Sequence, residues 1–279
     1  MAFRVSHDEW NARIHCGDEG IRGAQIYADD FTHAQKLPWF FGGEQVSVWK
    51  KLGNSNASFN LLIMNCIVTA GPTYETMDNV RRLTNFSTGR LGTELANYLT
   101  DRGHDVTLLV GEQATFSGER RAHRVETFTT TADLSEWLLA QAGSSVGAIF
   151  HAAAVSDFTF GKIWLRSPQG ELTEMKSGKI STRQGTLLAE LVPTPKIISG
   201  LRNWYPQAKL VGWKYEVDGG RSDVIAAASK QLHECLTDAC VANGPAYGEG
   251  FGIVTPNGRS THVAEVPMLF AALETLIQG

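Results

Sequence analysis

Residues 65–92 read NCIVTAGPTYETMDNVRRLTNFSTGRLG, and the fold follows from how this stretch changes character along its length. Asn65 to Gly71 is short enough to be a strand and apolar enough to be buried on both faces, with Cys66 to Ala70 as the strand proper. Gly71-Pro72 breaks it. A polar loop follows. From about Thr88 to Arg102 the spacing predicts a helix, because Leu91, Leu95, Tyr98 and Leu99 fall at i, i+4, i+7 and i+8 and Gly103 stops it. An apolar stripe of that kind has to lie on a sheet, and a buried strand followed by such a helix opens a parallel α/β architecture.

The alternation continues downstream. His104 to Val110 and Val125 to Thr129 are predicted strands, and Asp133 to Ala142 a helix with Leu134, Leu138 and Leu139 facing inward. Val146 to Ala153 is apolar enough to be a central strand. Between Asp157 and Gln184 the pattern lapses into a polar, glycine-bearing segment, read as a long loop or hairpin over the sheet edge. Pro195 can open a helix. Leu210 to Val217 and Ala239 to Ala242 are further strands around a helix from Asp223 to Leu236. Phe251 to Val254 and Ser260 to Val263 flank Asn257-Gly258, a hairpin signal, and a last helix is expected from Val266 to Ile277. The expected fold is a doubly wound, mostly parallel, Rossmann-like sheet with an antiparallel edge hairpin near the C-terminus. Residues 1–63 carry neither period and read as an N-terminal extension of unknown structure before a domain of 64–279. Met64 stands directly before the first strand, so the sequence leaves open whether the extension is native or the start lies at Met64.

Composition narrows the function classes. The 279 residues are 43% hydrophobic and 19% charged, which supplies a core and excludes a disordered polymer. Twenty-five Lys and Arg against 29 Asp and Glu leave a net charge of −4, so no global basic field exists to hold nucleic acid. No apolar run approaches the ~20 residues of a membrane span, and the first residues lack the apolar stretch of a signal peptide. Cys16, Cys66, Cys235 and Cys240 are too scattered for a disulfide framework and fit a reducing compartment, so a cytoplasmic location is expected. His233, Cys235 and Cys240 lack the further ligand that would complete a tetrahedral metal site.

Ligands of doubly wound sheets bind beyond the carboxyl ends of the strands, and three clusters fall there. The loop after the first strand runs from Gly71 through Arg81, Asn85, Ser87 and Thr88 to the glycines of the next helix's entrance; free N–H groups and the helix dipole make it a candidate anion cradle. Close packing on a strand explains such glycines equally. Ala152-Ala153-Ala154-Val155-Ser156-Asp157 offers small residues for a flat ligand and a carboxylate for a ribose or base edge, or a turn aspartate. Gly212-Trp213-Lys214 sets an aromatic ring beside a cation, and a core tryptophan explains it as well. Lys179, on the segment crossing the sheet edge, reads by itself as a solvated charge.

Taken in order and spacing, TAGPTYETMDNVRRLTNFSTGRLG, AAAVSDF, GKI, TPKI, VGWKYE and ACVAN resemble the phosphopantothenoylcysteine synthetase family, over about Met64 to the C-terminus. The resemblance implies a ligase joining 4′-phosphopantothenate to cysteine through an acyl-nucleotide formed from CTP or ATP, with Mg2+ or another divalent cation. It also implies a homodimer, acting with a separate decarboxylase; no flavin is expected, because residues 1–63 do not resemble the flavin-dependent decarboxylase often fused to this family. By the same resemblance Asn85 holds the acyl-nucleotide and Arg81 belongs to the same substrate loop. Gly71, the Ala152 and Ala153 backbone, and Asp157 place the nucleotide. Lys179 serves formation of the intermediate, Thr194, Pro195, Lys196 and Ile197 form a nucleotide-contacting turn, and Trp213 stands where the family commonly has phenylalanine.

The chain also departs from the pattern. Ser181 and Thr182 stand where two further cations are expected, and Arg183 comes one place late. Two family lysines fall on Gln231 and Cys235, leaving Lys230 adjacent; Asn79 replaces a proline. Two rival readings follow. One is a homologue that binds nucleotide or phosphopantothenate without turnover. The other is an NAD(P)-dependent oxidoreductase, for which Tyr205 and Lys209 have the Y-x-x-x-K spacing; the missing G-x-G-x-x-G and the helix-breaking Pro206 oppose it.

Overall fold

The computed structural model describes residues 62–175, 178, 180 and 185–279. In chain order the first elements are β1 (Asn65–Ala70), β2 (Tyr74–Thr76), β3 (Arg82–Thr84), α1 (Arg90–Asp101), β4 (Asp105–Gly111), β5 (Arg124–Phe128) and α2 (Thr131–Ala140). Then come β6 (Ala148–His151), β7 (Phe158–Arg166), β8 (Leu172–Glu174), β9 (Thr186–Pro193) and α3 (Ile197–Trp204). The chain closes with β10 (Lys209–Tyr215), α4 (Arg221–Cys235), β11 (Ala239–Asn243), β12 (Phe251–Val254), β13 (Ser260–Val263) and α5 (Val266–Gln278).

Eight strands form the main sheet in the order β13-β12-β11-β10-β6-β1-β4-β5. The pairs from β11 to β5 are parallel, and β12 and β13 add antiparallel. The expected doubly wound sheet with its edge hairpin is therefore present. Alternate residues of the central strands serve opposite layers, as a pleated sheet requires. Val68, Ala70, Phe150 and Val211 pack with Leu95 and Leu99 of α1 and Leu269 and Leu273 of α5. Ile67, Leu109, Ile149 and Leu210 face the other way, onto Leu134 and Leu138 of α2 and Ile197 and Leu201 of α3. Farther out on that second face, α4 lays Val224, Ala228 and Leu232 on Cys240 and Ala242. Each such leucine, fully withdrawn from water, contributes about 1.5–3 kcal/mol, so the sheet is a rigid base for the loops at its end.

Two segments differ from the sequence reading. The stretch read as a loop or hairpin from Asp157 to Gln184 holds β7 and β8, and with β9 these make a separate three-stranded antiparallel sheet. β9 is exposed at nearly every position, so it has no inside–outside alternation to betray it. The polar loop after β1 contains the β2–β3 hairpin, whose three-residue strands are too short to show a period. Leu139 was expected inside and is exposed, because α2 turns Leu134 and Leu138 onto the sheet instead. Among the described residues no helix is long and apolar enough to cross a membrane.

The winding fixes where a ligand can sit. From β1 the chain winds outward to β4 and β5, then returns to β6 on β1's other side and winds outward through β10 and β11. The order reverses between β1 and β6, and the carboxyl ends of these two strands mark the crevice where such sheets bind ligands.

Candidate active site

At the crevice, the chain beyond β6 stays tied to the chain beyond β1. Pro72 bridges Ala154; Ala154 N–H donates to the Gly71 carbonyl at 2.9 Å and Thr73 N–H to the Ala154 carbonyl at 3.2 Å. The same carbonyl accepts Asn85 Nδ2 at 2.9 Å. Asn85 leaves the β2–β3 hairpin one residue after Thr84, whose hydroxyl donates to the Thr73 carbonyl at 2.9 Å. The sequence-predicted Asn85 and the alanine turn are thus brought into direct contact across 69 residues of chain. One amide hydrogen of this exposed side chain is used on Ala154, and its carboxamide oxygen can still accept a hydrogen bond.

Gly71 and Gly89 both have φ near +80°, a region that favours glycine. Their role is close packing. A Cβ on Gly71 would stand 2.8 Å from the Ala114 Cβ, and one on Gly92 would stand 2.7 Å from that of Ala70. The first loop's glycines therefore let α1 come down onto β1 with its N-terminus at the crevice, and Gly71 is closely packed rather than an open cradle.

Ala152 and Ala153 also spend their N–H groups on the fold, on the Thr69 carbonyl and the Thr69 hydroxyl. What they offer a ligand is small side chains and a close backbone. Asp157 is exposed, and its carbonyl accepts Thr194 N–H at 2.9 Å, so Asp157 joins the turn of Thr194, Pro195 and Lys196 that leads into α3. Lys196, the residue before the first turn of α3, is exposed. The Ile197 side chain is core, packed with Leu201 and Tyr205, so only its backbone at the start of α3 could meet a ligand. Trp213 is half-buried on the opposite face, against the α1–α5 layer, and its indole N–H is buried with no hydrogen-bond partner among the described residues. Lys230 lies outside the crevice, on the solvent side of α4, 3.8 Å from Glu234 one helical turn on.

Lys179 lies outside the described residues, as do Ser181, Thr182 and Arg183. Its chain neighbours Gly178 and Ile180 are described, and both are fastened to the β2–β3 hairpin. Asn79 N–H donates to the Gly178 carbonyl at 2.9 Å, and Ile180 N–H donates to Asp78 Oδ2 at 3.1 Å. Arg81 closes the arrangement: its Nη2 donates to the Ile180 carbonyl at 2.7 Å and also contacts Asp78, to which its Nε donates at 3.1 Å. The Arg81 guanidinium beside Asp78, helped by the N–H groups of Val80, Ile180 and Arg81, holds the Asp78 carboxyl well below the usual carboxylate range. Arg81, expected at the substrate, is committed to this tether. Asp78 was missed by the sequence reading, and no local pattern marks it, because its partner Ile180 is 102 residues away.

The oxidoreductase reading fails on geometry. Tyr205 is buried and donates its hydroxyl to the Leu138 carbonyl, and burial pushes its pKa up to about 12, so it is no acid for a hydride-transfer site. Among the described residues no three histidine, cysteine or acidic side chains gather as metal ligands. Cys235 and Cys240 are buried free thiols, and His233 Nδ1 lies 2.7 Å from the carbonyl of Ser229 on its own helix.

The sequence from residue 62 to 262 matches the DNA/pantothenate metabolism flavoprotein C-terminal domain family. The chain belongs to that family. Among curated relatives it is 34% identical over 177 residues, 63% of this chain, to the coenzyme A biosynthesis bifunctional protein CoaBC of Thermococcus kodakarensis. It is 30% identical over 208 residues, 73% of this chain, to the protein of the same name from Bacillus subtilis. These matches span 40% and 47% of the relatives' own lengths. The crystal structure of the DNA/pantothenate metabolism flavoprotein from Streptococcus pneumoniae superposes with a TM-score of 0.67 at 26% identity, covering 77% of this chain and 98% of that one. The resemblance drawn from the motifs is thereby borne out, as is the fold class.

Proposed function

We propose that this chain works in coenzyme A biosynthesis as the ligase that joins 4′-phosphopantothenate to cysteine. A carboxylate oxygen of phosphopantothenate attacks the α-phosphorus of CTP or ATP, the bond to the β-phosphate breaks, and pyrophosphate leaves. The cysteine amine then attacks the acyl carbon, a C–N bond forms, the nucleoside monophosphate departs with the acyl oxygen, and the amine proton passes to water. The observation that carries the reading is the Asn85 carboxamide on the Ala154 carbonyl, because it sets the residue assigned to the intermediate at the sheet's switch point. Family membership and the curated relatives support the substrate class.

Both reactants of the first step are anions, so the site has to quench their repulsion as charge builds at phosphorus. The N-terminus of α1 opens at the same end and carries about half a positive charge. Lys196 is exposed beside Asp157's turn, and Lys179 follows a residue bonded to the hairpin that carries Asn85. A divalent cation fits the donor set as a passenger of the triphosphate: Asp157 is an exposed carboxylate at the crevice, and a magnesium ion commonly takes one carboxylate plus substrate phosphates. When bound it supplies further neutralisation of phosphate charge.

A homodimer belongs to the same proposal. The three-stranded sheet leaves Leu172, Leu188 and Val192 exposed on one face and Phe158 and Leu191 on the other, and the apolar residues of the first face suit a second copy.

The test is pyrophosphate release from CTP and from ATP, dependent on phosphopantothenate, followed by cysteine-dependent release of the monophosphate. Lys179→Gln is expected to abolish pyrophosphate formation. Binding of either substrate with no release from the wild-type chain would favour the non-catalytic homologue instead.

A further inference from the structure

Ala153 marks the point where the chain beyond β6 leaves the sheet. On either side of it the backbone remains paired, Ala152 N–H to the Thr69 carbonyl at 3.2 Å and Ala154 N–H to the Gly71 carbonyl at 2.9 Å. Ala153 N–H is held by a side chain, Thr69 Oγ1, at 3.1 Å. That hydroxyl belongs to a residue with no exposed surface, and it lies 3.0 Å from Nδ1 of His151, the last residue of β6. His151 is 6% exposed and sits between Thr69 of β1 and Gly212 of β10, its partners across the sheet.

Counting protons settles the direction of these bonds. Thr69 Oγ1 already accepts from Ala153, so its own proton needs an acceptor, and among the described residues the one within hydrogen-bond distance is His151 Nδ1. If Nδ1 carried the proton, the hydroxyl hydrogen would be buried without a partner. The ring therefore carries its proton on Nε2. Burial holds the imidazole pKa down at about 4, so a single ring proton is the neutral-pH state.

We propose that His151 is a positioning residue of the active site: by accepting the Thr69 proton it aims Thr69 Oγ1 at Ala153 and thereby fixes the Ala154 carbonyl on which Asn85 rests. Its catalytic consequence rests on the ligase reading given above; its structural consequence does not. The sequence shows only a histidine at the end of a strand, and neither the motifs nor the chemistry of the reaction used it.

Two variants separate an acceptor from mere bulk. His151→Asn puts a carboxamide oxygen near the Nδ1 position and keeps the acceptor, whereas His151→Leu keeps volume without it. Thr69→Val removes the hydroxyl at constant shape and serves if His151→Leu fails to fold. In the full chain labelled with 15N, the His151 resonances are expected to show a bare Nδ1 and a protonated Nε2. The Asn85 side-chain amide is expected to keep its shift in His151→Asn and to move toward that of a free amide in His151→Leu and Thr69→Val. Pyrophosphate release should fall roughly ten- to a hundredfold in kcat in those last two variants with KM unchanged, with no further loss in the double variant, because a small misplacement at a reacting centre costs on that order. His151→Asn should recover most of it. A proton on Nδ1, an Asn85 amide indifferent to both losses, or equal activity loss in His151→Asn and His151→Leu overturns the proposal. A wild-type chain without pyrophosphate release overturns the ligase reading alone, and the two resonance measurements still decide the role of His151.

Discussion

Replacing Asn85 by aspartate exchanges one amide nitrogen for one oxygen and leaves the side chain's size alone, so it removes the contact with Ala154 and adds a charge without changing shape. In the native chain Asn85 Nδ2 donates to the Ala154 carbonyl at 2.9 Å. In Asn85→Asp an anionic oxygen would face a carbonyl oxygen at that distance, and the side chain must turn away. The bond lost is a single neutral one on an exposed residue, worth about 0.5–1.5 kcal/mol net. For a domain of this size that lowers Tm by roughly 2–4 °C per kcal/mol, so the fold survives. Activity should respond far more. The carboxamide loses its anchor, and the new negative charge stands where a phosphate-bearing intermediate is expected, so kcat for ligation should drop about a hundredfold or more. Differential scanning calorimetry on the variant, beside separate assays of pyrophosphate and monophosphate release, reads both quantities. Asn85→Ala removes the bond without adding charge and should lie between. Activity close to wild type in Asn85→Asp would show that Asn85 stands outside the reaction. A collapse of Tm comparable to a core deletion would show instead that it is part of the framework.

Two further outcomes test the frame around the site. Asp78→Asn should weaken the hold on Gly178 and Ile180 and lower both stability and pyrophosphate release. The native carboxyl is held below its ordinary value of 3.8, chiefly by Arg81, so its stabilisation is complete above that pH and is lost as pH falls through the depressed folded value. The stability gap between wild type and variant, from denaturant titrations, should therefore be constant near neutrality and narrow only below about pH 4; a gap that widens on acidification contradicts the assignment. Gly92→Ala would set a Cβ 2.7 Å from the Ala70 Cβ and 3.1 Å from the Thr69 carbonyl oxygen, and should cost about 1–3 kcal/mol by overpacking, read as a fall in the denaturant midpoint. An unchanged midpoint would mean that α1 does not sit against β1 as described.

How far the sequence could be read depended on whether a residue's partner was local. Leu95 and Leu99 announce α1 through their spacing, and Asn257-Gly258 announces the turn between β12 and β13, because each signal lies within a few residues of what it specifies. Asn85, the alanine turn and Asp157 were legible through the motifs, and the structure brings the first two into contact and places Asp157 one residue beyond the turn's last bond to Thr73, at Ser156. The Asp78 tether was not legible, since Asn79 and Arg81 meet Gly178 and Ile180 only after the intervening sheet has formed. Ile197 and Lys230 show the limit of a motif match. A matched position carries no orientation, and here the helices turn one side chain into the core and the other onto Glu234.

These placements bear on how the missing cations are made good. Of the positive groups at or near the strand ends, Arg81 is spent on Asp78, Lys214 lies 2.9 Å from Glu216, and Arg221 donates to the Tyr247 carbonyl and covers its ring. Lys230 has Glu234. Lys196 is an exposed cation at the turn shared with Asp157 and, among the described residues, has no ion-pair partner; Arg82 on the hairpin, likewise outside any ion pair, lies over the Tyr74 ring. On the proposed ligase reading, with Ser181 and Thr182 in place of two cations, the phosphate charge would be met by Lys196, Lys179, the α1 N-terminus and a metal ion riding on the nucleotide. Such a site leans harder on the metal than one with three lysines in the loop. It follows that nucleotide affinity should depend steeply on free Mg2+, and that the order in which metal and triphosphate are offered should not matter, because the ion enters as part of the substrate.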